Sequence, residues 1–271
     1  CLVGSEMCIR DSIMIVLPTE KVKAKVKNPR FLILFGKPKS GKTTVASQLD
    51  SNLIIDLEGG AEFLDSLCVQ ARNVNDLGEI AAAIRQKNKE CNGFFYKHIT
   101  IDNATRLEEI TLSYALTLYQ QTPMGKSYRG DVRMLPNGAG WFYIRQAVRK
   151  VIDMFRELCE EFILVGHTKD KLVNKDGEEL SEMQLDLAGR LSDIICGEAD
   201  AIGYVYRKKN QTLISFQGGE NNIVEARAPH LRGQKIVIAE SDNEGKLVTY
   251  WDRIYLPNNL SLIHISEPTR H

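Results

Sequence analysis

The sequence predicts an α/β fold of three layers, in which a mainly parallel central sheet is flanked by helices, with short antiparallel strands at its C-terminal side. Three observations carry this. Apolar runs of about five residues recur at Phe31–Phe35, Asn52–Leu57, His98–Asp102 and Phe162–Gly166, and they read as strands buried on both faces. Segments with apolar residues at helical spacing alternate with them, as in Leu77, Ile80, Ala81 and Ile84, or Ile144, Val148, Val151 and Phe155. Each of these runs ends in polar or glycine residues, and open parallel sheets bind ligands beyond the carboxyl ends of their strands.

The first strand leads directly into Gly36-Lys37-Pro38-Lys39-Ser40-Gly41-Lys42-Thr43-Thr44, which satisfies G-x-x-x-x-G-K-[ST], the phosphate-binding P-loop. Gly36 and Gly41 let the backbone wrap a phosphate without a Cβ in the way. The turned amides and the start of the helix Thr44–Leu49 offer donors to an anion. Lys42 would reach the β- and γ-phosphates, and the Thr43 hydroxyl would ligate Mg²⁺. The expected ligands are therefore ATP and Mg²⁺. The next strand ends at Asp56-Leu57-Glu58-Gly59-Gly60, placing Glu58 on the side of the P-loop, where it would serve as general base toward a water. The competing reading makes it a cap for the following helix at Ala61. The third strand ends at Asp102, a carboxylate that would hold Mg²⁺ through water. Asn103 follows where many ATPases carry a catalytic Glu, which favours Glu58 as the base.

Gln120–Gly140 is punctuated by Pro and Gly and carries Lys126, Tyr128, Arg129, Arg133 and Met134. So long a loop is functional or mobile, and its basic and aromatic residues suit single-stranded nucleic acid. The fourth strand ends at His167, placed to sense the γ-phosphate. Thr168–Asp186 is polar, with a turn at Asn174–Gly177 that would suit a hairpin. Leu187–Ile195 reads as helix, Asp200–Tyr206 as a strand running into Arg207, and Thr212–Phe216 and Gln234–Ala239 as shorter strands. Val16–Lys27 alternates apolar and charged residues and reads as an edge strand or lead-in.

Composition sets the bounds. Formal net charge is zero, so any nucleic-acid surface must be local. The six cysteines form no C-x-x-C pair, which suits a reducing cytoplasm, and no apolar run approaches the roughly 20 residues of a membrane span. A soluble cytoplasmic protein is expected. Residues 1–13 and 259–271 resemble translated sequencing-adapter read-through. The expected natural chain starts at Met14 and is cut near Asn258 or Asn259, with 14–258 a single domain.

In their order, the P-loop, Glu58, Asp102 without an adjoining Glu, and His167 resemble the RecA-type ATPase core. The likeness runs from about Phe31 to Phe216. More narrowly, it resembles the phage-encoded RecA-core ATPases that include single-strand annealing and recombination proteins. That resemblance implies DNA contacts in Gln120–Gly140 and again in Lys169–Asp186, adding Lys169 and Lys171 to the candidates. It also implies a homo-oligomer, ring or filament, in which Arg190 or Arg207 acts in trans on a neighbour's ATP. The expected activity is a DNA-dependent ATPase working on single-stranded DNA in recombination or annealing. The alternatives are an ATP-switched scaffold for a protein partner, and a P-loop small-molecule kinase with Arg129/Arg133 or Arg227/Arg232 as its lid.

Overall fold

The computed structural model describes residues 19–21, 26–175, 178–219, 223–242 and 246–257, and of residues 171–175 and 178–181 the backbone alone. The two adapter-like tails and most of the lead-in Val16–Lys27 lie outside the described residues.

The described strands are β1 (Phe31–Gly36), β2 (Asn52–Asp56), β3 (Leu67–Gln70), β4 (His98–Asp102), β5 (Glu161–Lys175), β6 (Glu178–Leu185), β7 (Ala201–Lys208), β8 (Gln211–Ser215), β9 (Glu225–Ala226), β10 (Lys235–Ser241) and β11 (Leu247–Thr249). The helices are α1 (Lys42–Ser47), α2 (Val74–Cys91), α3 (Ala104–Ile110), α4 (Leu112–Gln120), α5 (Ala139–Arg156) and α6 (Leu191–Glu198). The sheet runs β3-β2-β4-β5-β1-β7, all parallel, and continues antiparallel through β8, β10 and β11. This is the mainly parallel sheet with an antiparallel C-terminal side that the sequence predicts. No helix among the described residues is long and apolar enough to cross a membrane.

β1 shows why the layers number three. All six of its residues are buried. Side chains alternate across a sheet with period two, so Phe31, Ile33 and Phe35 join α2, α5 and α6 on one face. Leu32 and Leu34 join Val45 of α1 and the C-terminal Trp251 and Ile254 on the other. On α5 the stripe Ile144, Val148, Val151, Ile152 and Phe155 is buried as its helical spacing requires. Each such side chain contributes on the order of 2 kcal/mol by leaving water. α1 is only six residues long and is pinned from outside: Trp251 Nε1 donates to Val45 O at 2.9 Å.

Three segments depart from the sequence reading. The fourth strand does not stop at His167. β5 is fifteen residues long in all, and beyond His167 it pairs antiparallel with β6 from Thr168–Leu185 out to Lys175–Glu178, so the expected second DNA loop is the β-hairpin that its turn suggested. Gln120–Gly140 is no bare loop either: it holds two 3₁₀ turns, and Val132 and Leu135 pack with Ala115, Leu118, Ile144 and Ala147. α6 starts at Leu191 rather than Leu187.

Candidate nucleotide site

The P-loop sits at the carboxyl end of β1. A Cβ on Gly36 would stand 2.4 Å from Val205 O of the neighbouring strand, so only glycine fits there. Gly41 has φ +97, a left-handed conformation that lets the loop turn into α1. Lys42 is buried, and its Nζ donates to Gly36 O and Lys37 O, both at 3.0 Å, curling back over the loop. Burial holds its pKa below the usual lysine value, against the upward pull of Asp102 and Glu58. An ammonium in that position is short of anionic partners, which a polyphosphate would supply.

Asp102 comes in at the end of β4, in register with Asp56 of β2. Thr43 Oγ1 donates to Asp102 Oδ2 at 2.5 Å. Burial pushes the Asp102 pKa up, with Asp56 and Glu58 adding to the rise, while the Thr43 hydroxyl and Lys42 oppose it. A hydroxyl and a desolvated carboxylate side by side form a hard-oxygen pair suited to Mg²⁺, most of whose shell is water and phosphate. Among the described residues no cluster of three or more His, Cys, Asp or Glu could hold a metal without such help.

Glu58 is set by Asp56. The Asp56 carboxylate accepts the N–H groups of Glu58 at 2.9 Å, Gly59 at 2.8 Å and Ala61 at 2.8 Å. The cap at Ala61 is thus supplied by Asp56 rather than Glu58, whose side chain is left about half exposed and points toward His167, Oε2 to Nε2 3.7 Å. The pairing of β1 with β5 sets His167 level with Gly36. The other ring nitrogen of His167, Nδ1, is buried with no hydrogen-bond partner among the described residues.

Lys42, Thr43, Glu58, Asp102 and His167 line one open cleft of about 600 Å³, together with Arg207 and Phe63, a residue 90% exposed. The P-loop residues Pro38–Thr44, Glu58, Asp102 and His167 predicted from the sequence are therefore brought together. Residues 28–230, about three quarters of the chain, match the family model described as AAA domain. The chain belongs to the AAA domain family. That family indicates a P-loop AAA-type ATPase domain, and the cleft is its candidate nucleotide site. No curated protein matches the chain.

The remaining candidates are more scattered. Arg190 is exposed at the start of α6, outside the cleft. Arg207 stands beside the chain's own P-loop. Of the nucleic-acid candidates, Tyr128 packs edge-on against Tyr119 and its hydroxyl donates to Asp131 O. Arg133 is paired with Asp131, and Arg129 donates to the carbonyls of Lys126 and Tyr128. Lys169 Nζ donates to Leu187 O, and the Lys171 side chain lies outside the described residues. Arg227 and Arg232 form no lid: Arg227 pairs with Asp200, which caps the amino end of β1, a whole strand away from the P-loop, and Arg232 donates to Ala226 O and Arg227 O beside it. Sequence reasoning missed Asp56 and Phe63. An acidic residue two positions before Glu58 was the available signal for the first, and the second carried none.

Proposed function

We propose that the domain hydrolyses Mg²⁺–ATP with Glu58 as general base and that His167 couples nucleotide state to the β5–β6 hairpin. The Glu58–His167 pairing in one cleft with Lys42, Thr43 and Asp102 is the observation that carries this reading. Gly36–Thr44 cradle the phosphates, and Lys42 leaves its own loop carbonyls to pair with the transferred group. Thr43 and Asp102 would hold Mg²⁺, which would supply neutralising charge to the phosphates. Glu58 accepts a proton from the attacking water, which lies between it and the terminal phosphate. His167, within salt-bridge distance of Glu58 and continuous in chain with β5, shifts when that phosphate leaves and passes the change to the hairpin.

Single-stranded DNA is the partner we favour, in recombination or annealing of the kind performed by phage-encoded RecA-core ATPases, with the chain assembling as a ring or filament. Exposed Lys126 and Arg129 support it, as do the exposed Trp141 and Phe142 at the start of α5, which offer stacking faces. One observation favours a protein partner instead. A cleft of about 290 Å³ between α3, α5 and the hairpin base mixes Trp141, Leu112 and Ile144 with Glu108, Glu109, Asp186, Arg133 and Lys169. Mixed charge around apolar surface suits a peptide better than a phosphate backbone.

The test is ATP hydrolysis with and without a single-stranded oligonucleotide, over a range of salt. The DNA reading expects stimulation that fades as salt rises. Hydrolysis indifferent to the oligonucleotide would transfer the role to a protein partner.

A further inference from the structure

The P-loop has different neighbours on its two sides. β5 flanks β1 on one side and brings His167, with β4 beyond it carrying Asp102 and β2 leading into the turn that holds Glu58. β7 flanks β1 on the other side and brings Arg207. A methyl group built on Gly41 would lie 3.2 Å from both Nε and Nη2 of Arg207, and 3.4 Å from Thr212 Oγ1. The guanidinium edge therefore faces the phosphate loop of its own chain. It makes no ion pair or side-chain hydrogen bond among the described residues. It also stands where the main cleft meets a smaller hollow of about 90 Å³ lined by Thr44, Val45, Asn210, Gln211 and Ser241.

We propose that Arg207 is a cis-acting nucleotide-binding residue that holds the nucleoside diphosphate portion, in place of the trans role expected of it from sequence. This rests on the cleft being a nucleotide site. Outside the P-loop itself, the groups assigned to water, Mg²⁺ and the terminal phosphate (Glu58, Asp102 and His167) lie on the β5 side. A nucleotide whose terminal phosphate meets those groups would turn toward β7 the part that does not change in the reaction. A planar guanidinium with its donors free is suited to bidentate contact with phosphate oxygens. An interaction made equally before and during reaction lowers KM and leaves kcat alone. A residue acting on the departing phosphate would do the reverse.

The experiment titrates fluorescent ADP and ATP against wild type, Arg207→Ala, Arg207→Lys and Lys42→Ala, and records steady-state hydrolysis for each. Arg207→Ala is expected to weaken ADP and ATP by a similar factor, about tenfold or more. KM should rise while kcat holds, and the nucleotide-free melting temperature should be unchanged. Arg207→Lys should recover part of the affinity. At an ATP concentration well below the raised KM, mixing Arg207→Ala with Lys42→Ala should give no more than the sum of their separate rates, because a neighbour's Arg207 cannot replace the missing one. Recovery on mixing, or a fall in kcat with ADP affinity intact, would overturn the proposal. Wild type that binds both nucleotides no better than Arg207→Ala overturns this inference alone. Wild type that binds neither overturns the nucleotide reading and the inference together.

Discussion

Asp56 and Asp102 face each other across adjacent strands and do opposite work. Asp56 spends its carboxylate on three backbone N–H groups, so its charge is satisfied by the turn it builds. Asp102 has the Thr43 hydroxyl and is otherwise desolvated, and its pKa rises. The sign of the consequence follows from proton counting. Above the ordinary carboxylate value of 3.8, and up to its raised value, the folded chain binds more protons at this site than the unfolded chain does. Stability therefore falls as pH climbs through that window, and the penalty is complete above it. Asp102→Asn, measured in a metal chelator, should melt a few degrees above wild type at neutral pH, with the gap closing toward pH 4. The same variant should lose Mg²⁺-dependent hydrolysis by about a hundredfold or more. Stability sacrificed for function at one residue is the pattern expected of a site that awaits a cation.

At the scale of elements, β5 joins chemistry to reach. Its first half is core, with Glu161–Gly166 buried between β4 and β1, and its second half runs out with β6 as a hairpin. A Cβ at Gly166 would stand 2.2 Å from Leu185 Cδ1, so glycine lets the returning strand close over the point where the two halves meet. Replacing Lys171–Ser181 by a two-residue turn should leave basal ATP hydrolysis within about twofold, because the cleft is built without that segment. Stimulation by the partner should be lost. Retained stimulation would detach the hairpin from coupling. The hairpin was only partly visible in the sequence: Asn174–Gly177 announced a turn, but Thr168–Asp186 is polar on both faces and gives no apolar alternation. β3 escaped notice for a related reason. It is an edge strand, mostly exposed, and its apolar residues are too few to register as a run. Val132 and Leu135 were hidden in a segment whose Pro and Gly residues read as loop, although both are buried.

Over the whole molecule, what the sequence made legible was whatever lies at the carboxyl end of a core strand. Lys42, Glu58, Asp102 and His167 each follow an apolar run, and parallel pairing carries all four to one edge of the sheet without further information. What needed coordinates was lateral order. Nothing in the chain says that β7 rather than another strand flanks β1, so Arg207 and Arg190 looked equivalent until the sheet separated them. The choice between Asp56 and Glu58 as cap likewise depends on a turn with Gly59 at φ +83, a detail of backbone rather than of pattern.

The central claim is that Glu58 activates water at an ATP site, and the most direct measurement is single-turnover ATP hydrolysis by wild type and Glu58→Gln, with ATP affinity recorded in parallel. The account predicts that Glu58→Gln binds ATP within about twofold of wild type and hydrolyses it about a hundredfold or more slowly. Equal hydrolysis by both proteins would contradict it.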